Sequence, residues 1–132
     1  MAHLYRIIQP VSGIDRAAAF YAKVLGSPGA RVSPGRHYFD CEGTILACFD
    51  PSIEDGYPAR PNSEPIYFAV ADLRATFEAC RAAGATFDPA SPPEVGPLGE
   101  IARRPWGEES FYVSDPFGNP LCFVRRGSEF KG

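Results

Sequence analysis

The chain has 132 residues, enough for one domain that buries a core without disulfide or metal staples. It is 45% hydrophobic and 22% charged, the balance of a soluble globule rather than of a disordered or membrane chain. A net charge of −3 argues against nucleic acid or an anionic membrane surface as a partner.

The first residues alternate polar and apolar side chains, unlike a signal peptide, and no apolar run approaches ~18 residues. The expected location is the cytoplasm. Cys41, Cys48, Cys80 and Cys122 lack close CxxC spacing, so in a reducing compartment they read as small buried hydrophobes rather than a zinc site.

Residues 3–9 form the first expected strand, stopped by Pro10. Ser12, with Asp15 three residues on, suggests a helix start. The helix spans 13–25, with Ile14, Ala17, Ala18, Tyr21, Val24 and Leu25 as its apolar stripe and Gly26 closing it. Strands follow at 30–33, 36–41 and 44–50. Residues 51–64 read as a linker, too rich in proline for a helix or a central strand. A fifth strand covers 66–71. Asp72 caps a helix over 73–83 that turns Leu73, Phe77 and Cys80 inward, and Gly84 ends it. A short strand at 85–88 leads to a loop at 89–97 with four prolines. The seventh strand region covers 100–104 and 109–114, broken at 105–107, and the eighth covers 121–126. Residues 127–132 read as a frayed tail.

Two parts of this order repeat. Residues 37–49 match 112–124 around a turn, with Asp40 falling on Asp115, Gly43 on Gly118 and Ala47 on Cys122. Residues 7–26 match 66–84 as strand, helix, glycine. The chain therefore reads as one domain built from two copies of a βαβββ unit, residues 1–50 and 65–126.

The motifs Asp15-Arg16 with Phe20-Tyr21-Ala22-Lys23-Val24-Leu25-Gly26, Val70-Ala71-Asp72-Leu73 with Ala83-Gly84-Ala85, Pro105-Trp106-Gly107 and Asp115-Pro116-Phe117-Gly118-Asn119 span nearly the whole chain. In this order they resemble the vicinal-oxygen-chelate superfamily of glyoxalases, extradiol dioxygenases and bleomycin-resistance proteins. The resemblance implies an α+β fold of two βαβββ modules forming a half-open eight-stranded mixed sheet. It also implies a homodimer. It leaves function open, because one fold hosts many chemistries.

The metal-dependent members of that superfamily hold a divalent ion with four His, Gln or Glu ligands, one on the first and one on the last strand of each module. The resemblance places those positions at Arg6, Ala47, Pro65 and Cys122. Arginine has no lone pair to give, and alanine and proline offer no donor atom. No metal or other cofactor is therefore expected. His3 and His37 read as structural or surface residues.

Strand alternation then puts Leu4, Arg6, Ile8, Ile45, Ala47, Phe49, Tyr67, Ala69, Cys122 and Val124 on the concave face, with Tyr5, Ile7 and Phe68 under the helices. The expected ligand site is Arg6, Ala47, Phe49, Tyr67, Trp106 and Cys122. It suits a small hydrophobic or aromatic molecule, with or without an anionic end. Each residue has a plainer alternative. Arg6 pairs either with Glu64, Glu100 or Glu108, or with a ligand anion. Trp106 either plugs the mouth of the sheet or stacks on a ligand. Tyr67 is either a core aromatic or a site residue. Cys122 needs a lowered pKa to act as a nucleophile. Two functions stay open: a metal-free binding protein, or an enzyme of lyase, isomerase or dioxygenase type that uses a metal or an acid–base pair.

Overall fold

A computed structural model describes residues 1–88 and 94–132. The first five residues of the expected proline-rich loop lie outside them. The chain divides into two compact units, Met1–Asn62 and Ser63–Gly132.

The first unit runs β1 (Arg6–Pro10), α1 (Ile14–Leu25), β2 (Ala30–Ser33), β3 (Arg36–Cys41), β4 (Thr44–Phe49) and α2 (Pro51–Glu54). Its sheet has the order β1-β4-β3-β2, with β1 parallel to β4 and the other pairs antiparallel. α1 buries Ile14, Ala17, Phe20, Tyr21 and Val24, the expected stripe in outline. Gly13 caps it rather than Ser12, and no side chain contributes to the cap. Gly26 takes the left-handed conformation, φ 72°, that ends a helix at low cost for glycine.

Register sets two faces. Ile7 lies opposite Leu46, Gln9 opposite Cys48 and Phe39 opposite Leu46, and this face packs under α1. Gln9 is fully buried there, donating to the Tyr21 hydroxyl at 2.8 Å and accepting from Asn62 Nδ2 at 2.7 Å. That amide bridge ties the end of the proline-rich segment to β1. The other face carries Arg6, Ile8, Ala47, Tyr38, Phe49 and Arg36.

Residues 51–54 correct the linker expectation. Asp50 Oδ1 accepts from Ser52 N at 3.0 Å and from Ser52 Oγ at 2.6 Å, capping a one-turn helix with proline in its first turn. Proline breaks a helix interior but suits the first turn, where its missing N–H would have no partner anyway. Glu54 then accepts from Gly35 N at 2.7 Å and from the Ser33 hydroxyl, closing the turn between β2 and β3.

The second unit runs β5 (Ile66–Val70), α3 (Leu73–Ala82), β6 (Thr86–Phe87), β7 (Ala102–Arg103), β8 (Glu109–Ser114) and β9 (Pro120–Arg125). Its order is β5-β9-β8-β6, with β7 also paired to β8. β5 is parallel to β9, as β1 is to β4. The two βαβββ modules are thus present, their hydrogen bonds forming a four-stranded and a five-stranded sheet, and the broken seventh strand region is β7 and β8. Asp72 caps α3 through Ala75 N at 3.0 Å, and Leu73, Phe77 and Cys80 are buried as expected. The helix-facing core is a run of rings, Phe87–Phe77–Phe111–Phe123–Phe68, with successive centroids 4.9, 5.1, 5.3 and 5.3 Å apart.

The repeated turn has a physical basis. Asp40 Oδ1 accepts from Gly43 N at 2.8 Å. Asp115 Oδ1 accepts from Phe117 N at 2.9 Å and Asn119 N at 2.8 Å. Gly43 and Gly118 both have positive φ, 101° and 91°, which bulkier residues resist. Among the described residues, no helix is long and apolar enough to cross a membrane.

Candidate binding cleft

The second unit's sheet has a face turned away from its phenylalanine core. Tyr67 pairs with Cys122 and Ala69 with Val124 across β5 and β9; Cys122 pairs with Tyr112 and Val124 with Ser110 across β9 and β8. Directly paired residues share a face, so these six line one surface. The Tyr67 and Tyr112 rings meet edge-on, 6.3 Å apart. Cys122, Ser110 and Val124 are buried beneath their neighbours.

The turn between β7 and β8 brings in Trp106. Arg104 N donates to Glu108 O at 2.7 Å and Gly107 N to Arg104 O at 2.9 Å, with Gly107 at φ 98°. The indole Nε1 donates to Glu108 Oε1 at 2.9 Å, and Phe130 N donates to Glu108 Oε2 at 2.9 Å. Ser128 Oγ accepts from Glu109 N at 3.1 Å and donates to Arg125 O at 2.8 Å. The tail expected to fray is therefore pinned through residue 130, and Phe130 becomes a wall. The result is a cleft of about 350 Å³ lined by Tyr67, Phe68, Ala69, Trp106, Glu108, Val124, Glu129 and Phe130.

Arg104 supports this turn from behind and is 2% exposed. Its Nε donates to Ser110 Oγ at 3.0 Å, Nη1 to Val95 O at 2.8 Å and Pro97 O at 3.2 Å, and Nη2 to Glu100 O at 3.0 Å and Ser110 O at 2.8 Å. One guanidinium thus fastens residues 95–100 to β8, with its plane centre 5.5 Å from the Tyr112 ring.

The expected site residues fall in different places. Tyr67 and Trp106 line the cleft. Cys122 is fully buried against the Tyr112 hydroxyl, and burial pushes its thiol up to about 12. A thiol protonated at neutral pH is a poor nucleophile. Burial likewise pushes the Tyr112 hydroxyl well above its usual value. In the first unit, Arg6 is exposed, its guanidinium 5.4 Å from the Tyr5 ring. Among the described residues it has no ion pair. Tyr5, expected under the helix, is exposed too, because β1 begins only at Arg6 and the alternation does not extend before it. Ala47 is fully buried, and Phe49 lies under the Arg36 guanidinium at 4.3 Å.

Sequence reading did not place Glu108, Phe130 or Arg104 in the cleft and its support. For Phe130 the signal was one aromatic in an otherwise polar tail. For Glu108 it was its position two residues beyond a tryptophan in a tight turn.

The donor set does not fit the divalent ion of the metal-dependent relatives. Arg6 and Ala47 give no ligand, Pro65 gives none, and Cys122 is a buried thiol. His37 Nε2 lies 2.9 Å from Pro28 O, and its Nδ1 lies 3.4 Å from Arg31 Nε. His3 Nε2 lies 3.0 Å from Gly43 O. No group of three or more His, Cys, Asp or Glu suited to a metal ion occurs among the described residues.

Solved structures share the fold. A glyoxalase/bleomycin resistance protein from Albidiferax ferrireducens superposes with a TM-score of 0.73 at 22% identity, covering 92% of this chain and 97% of its own. An oxidase, ChaP-H1, gives 0.72 at 24% identity over 100% of both chains. A lactoylglutathione lyase from Agrobacterium tumefaciens gives 0.66 at 20% identity, covering 96% of this chain and 95% of its own. At these identities the likeness is one of fold. No curated protein matches the chain. The family model of the Glyoxalase/Bleomycin resistance protein/Dioxygenase superfamily matches residues 3–123. With that match covering nearly all of both modules, the chain belongs to the Glyoxalase/Bleomycin resistance protein/Dioxygenase superfamily.

Proposed function

We propose that the protein binds a small aromatic or hydrophobic molecule without a metal, in the second unit's cleft. The observation that carries this reading is the cleft itself: three exposed rings, Tyr67, Trp106 and Phe130, around about 350 Å³ of space, with Trp106 and Phe130 fixed through Glu108. Rigid rings flanking an apolar floor of Ala69 and Val124 suit a planar guest. The anionic end expected from Arg6 has no counterpart in this cleft, whose lining carries two carboxylates and no cation.

The alternative is an enzyme of the same superfamily, of lyase, isomerase or dioxygenase type. The lactoylglutathione lyase and oxidase folds keep that class open, but the donor set here supports no metal step, and both Glu108 oxygens already accept hydrogen bonds.

We also propose a homodimer in the cytoplasm. β1 is an outer strand of its sheet, with Ile8 exposed on it and Leu4 and Tyr5 exposed just before it. An apolar edge of that kind is a liability that a second copy would cover. Four free thiols suit a reducing compartment.

Trp106 is the one tryptophan, so its fluorescence reads the cleft directly. A panel of neutral aromatics should quench or shift it saturably, and Tyr67→Ala should weaken binding by about tenfold, the scale of one lost ring contact. Thermal stabilisation by the same compounds with no change in Trp106 emission would place the ligand elsewhere.

A further inference from the structure

We infer that the cleft selects organic cations, a substituted ammonium carrying an aromatic ring, over neutral or anionic molecules of the same shape; this rests on the cleft reading above. Glu108 is 7% exposed and lines the cleft. Its carboxylate is met by two neutral donors, the Trp106 indole at 2.9 Å and Phe130 N at 2.9 Å, and by no cation within ion-pair distance among the described residues. A buried carboxylate without a counter-charge is costly, and the cost falls when a positive guest arrives.

The nearby cations are committed elsewhere. Arg104, buried on the same turn, directs its donors to carbonyls and Ser110 and does not line the cleft. Arg125 and Arg103 share Glu109, at 2.9 and 3.5 Å. These two line a neighbouring groove with Arg126 and Lys131, and the last two act on Glu129.

The rings supply the second half. Trp106, Tyr67 and Phe130 are exposed aromatic residues, and all three line the cleft. A π-face attracts a cation through its quadrupole, tryptophan most strongly. The indole N–H donates to an anionic oxygen, which pushes electron density into the ring and strengthens that attraction.

Three probes with one ring and different charge decide it: benzyltrimethylammonium, benzyl alcohol and benzoate, titrated against Trp106 fluorescence. The ammonium should bind about tenfold tighter than the alcohol, the scale of a partly desolvated cation–π contact, and benzoate should bind weakest. Glu108→Gln should bring ammonium and alcohol to similar affinity. Should that variant fail to fold, raising the salt on the unaltered protein should lower ammonium affinity and leave the alcohol unchanged. Equal binding of all three, or a preference for benzoate, overturns the charge selection and leaves the cleft as a binding site. If none of the three moves Trp106 emission, the cleft reading fails and the charge selection fails with it.

Discussion

Replacing Arg104 by Met isolates the support behind the cleft. Methionine keeps most of the stem's packing and removes every donor. Four of the released carbonyls, at Val95, Pro97, Leu98 and Glu100, lie on a partly exposed segment and can take water instead. Ser110 cannot, because it is fully buried. Its hydroxyl at 3.0 Å and its carbonyl at 2.8 Å both lose a charged donor. Each stranded group costs about 1–3 kcal/mol. Against this stands relief from burying a cation, whose pKa burial already lowers. The net expectation is a loss of about 2–4 kcal/mol, read from urea midpoints. A sharper test uses Ser110→Ala in both backgrounds. In the natural protein it leaves Arg104 Nε without its acceptor and destabilises. In the Arg104→Met background the hydroxyl has already lost that donor and keeps only the Cys122 thiol, so the same change costs less. A loss below about 1 kcal/mol for Arg104→Met, or an equal loss for Ser110→Ala in both backgrounds, would refute the reasoning.

Arg6→Met should shift stability by no more than about 0.5–1 kcal/mol, the worth of an exposed cation–π contact, because no carboxylate is stranded; a loss above about 3 kcal/mol would reveal a buried pair. Burial holds Cys80 and Cys122 protonated in the folded state to about 12, whereas an unfolded thiol ionises near ~8.5. The unfolded chain therefore binds fewer protons between those values, and stability should fall as pH rises through that window, less steeply in Cys80→Ala. Half-buried Cys41 should be the first thiol to react with a disulfide reagent at mild alkaline pH, and faster labelling of Cys122 would contradict its burial. Sedimentation at micromolar concentration should give the mass of two chains, and Ile8→Lys should shift it toward one.

Much of the fold was legible because its signals are local. The apolar spacing of Leu73, Phe77 and Cys80 marks one helix face, and Asp40 and Asp115 carry the turn chemistry that repeats the hairpin. Local signals also misled. Four prolines between 51 and 65 conceal the turn of helix at 51–54, where proline sits at a position that tolerates it. Alternation holds only within a strand, and β1 starts one residue after Tyr5.

The candidate site was legible only in part. Tyr67 and Trp106 showed as aromatics at an open face. Glu108 and Phe130 acquire their role from a contact between a turn and a tail twenty-two residues apart. Arg104 acquires its role from backbone carbonyls, which leave no mark in sequence. The same limit applies to Cys122: its position is legible, but its burial depends on Tyr112 and Ser110 across the neighbouring strand.

The central claim is that this family member binds its ligand with aromatic walls and no metal. The most direct measurement is elemental analysis of protein purified without chelator, performed on a sample whose Trp106 emission responds to an aromatic probe. Transition metal should be far below one equivalent per chain. About one bound Zn, Ni, Fe or Mn per chain, whose removal by strong chelation abolishes the probe response, would contradict it.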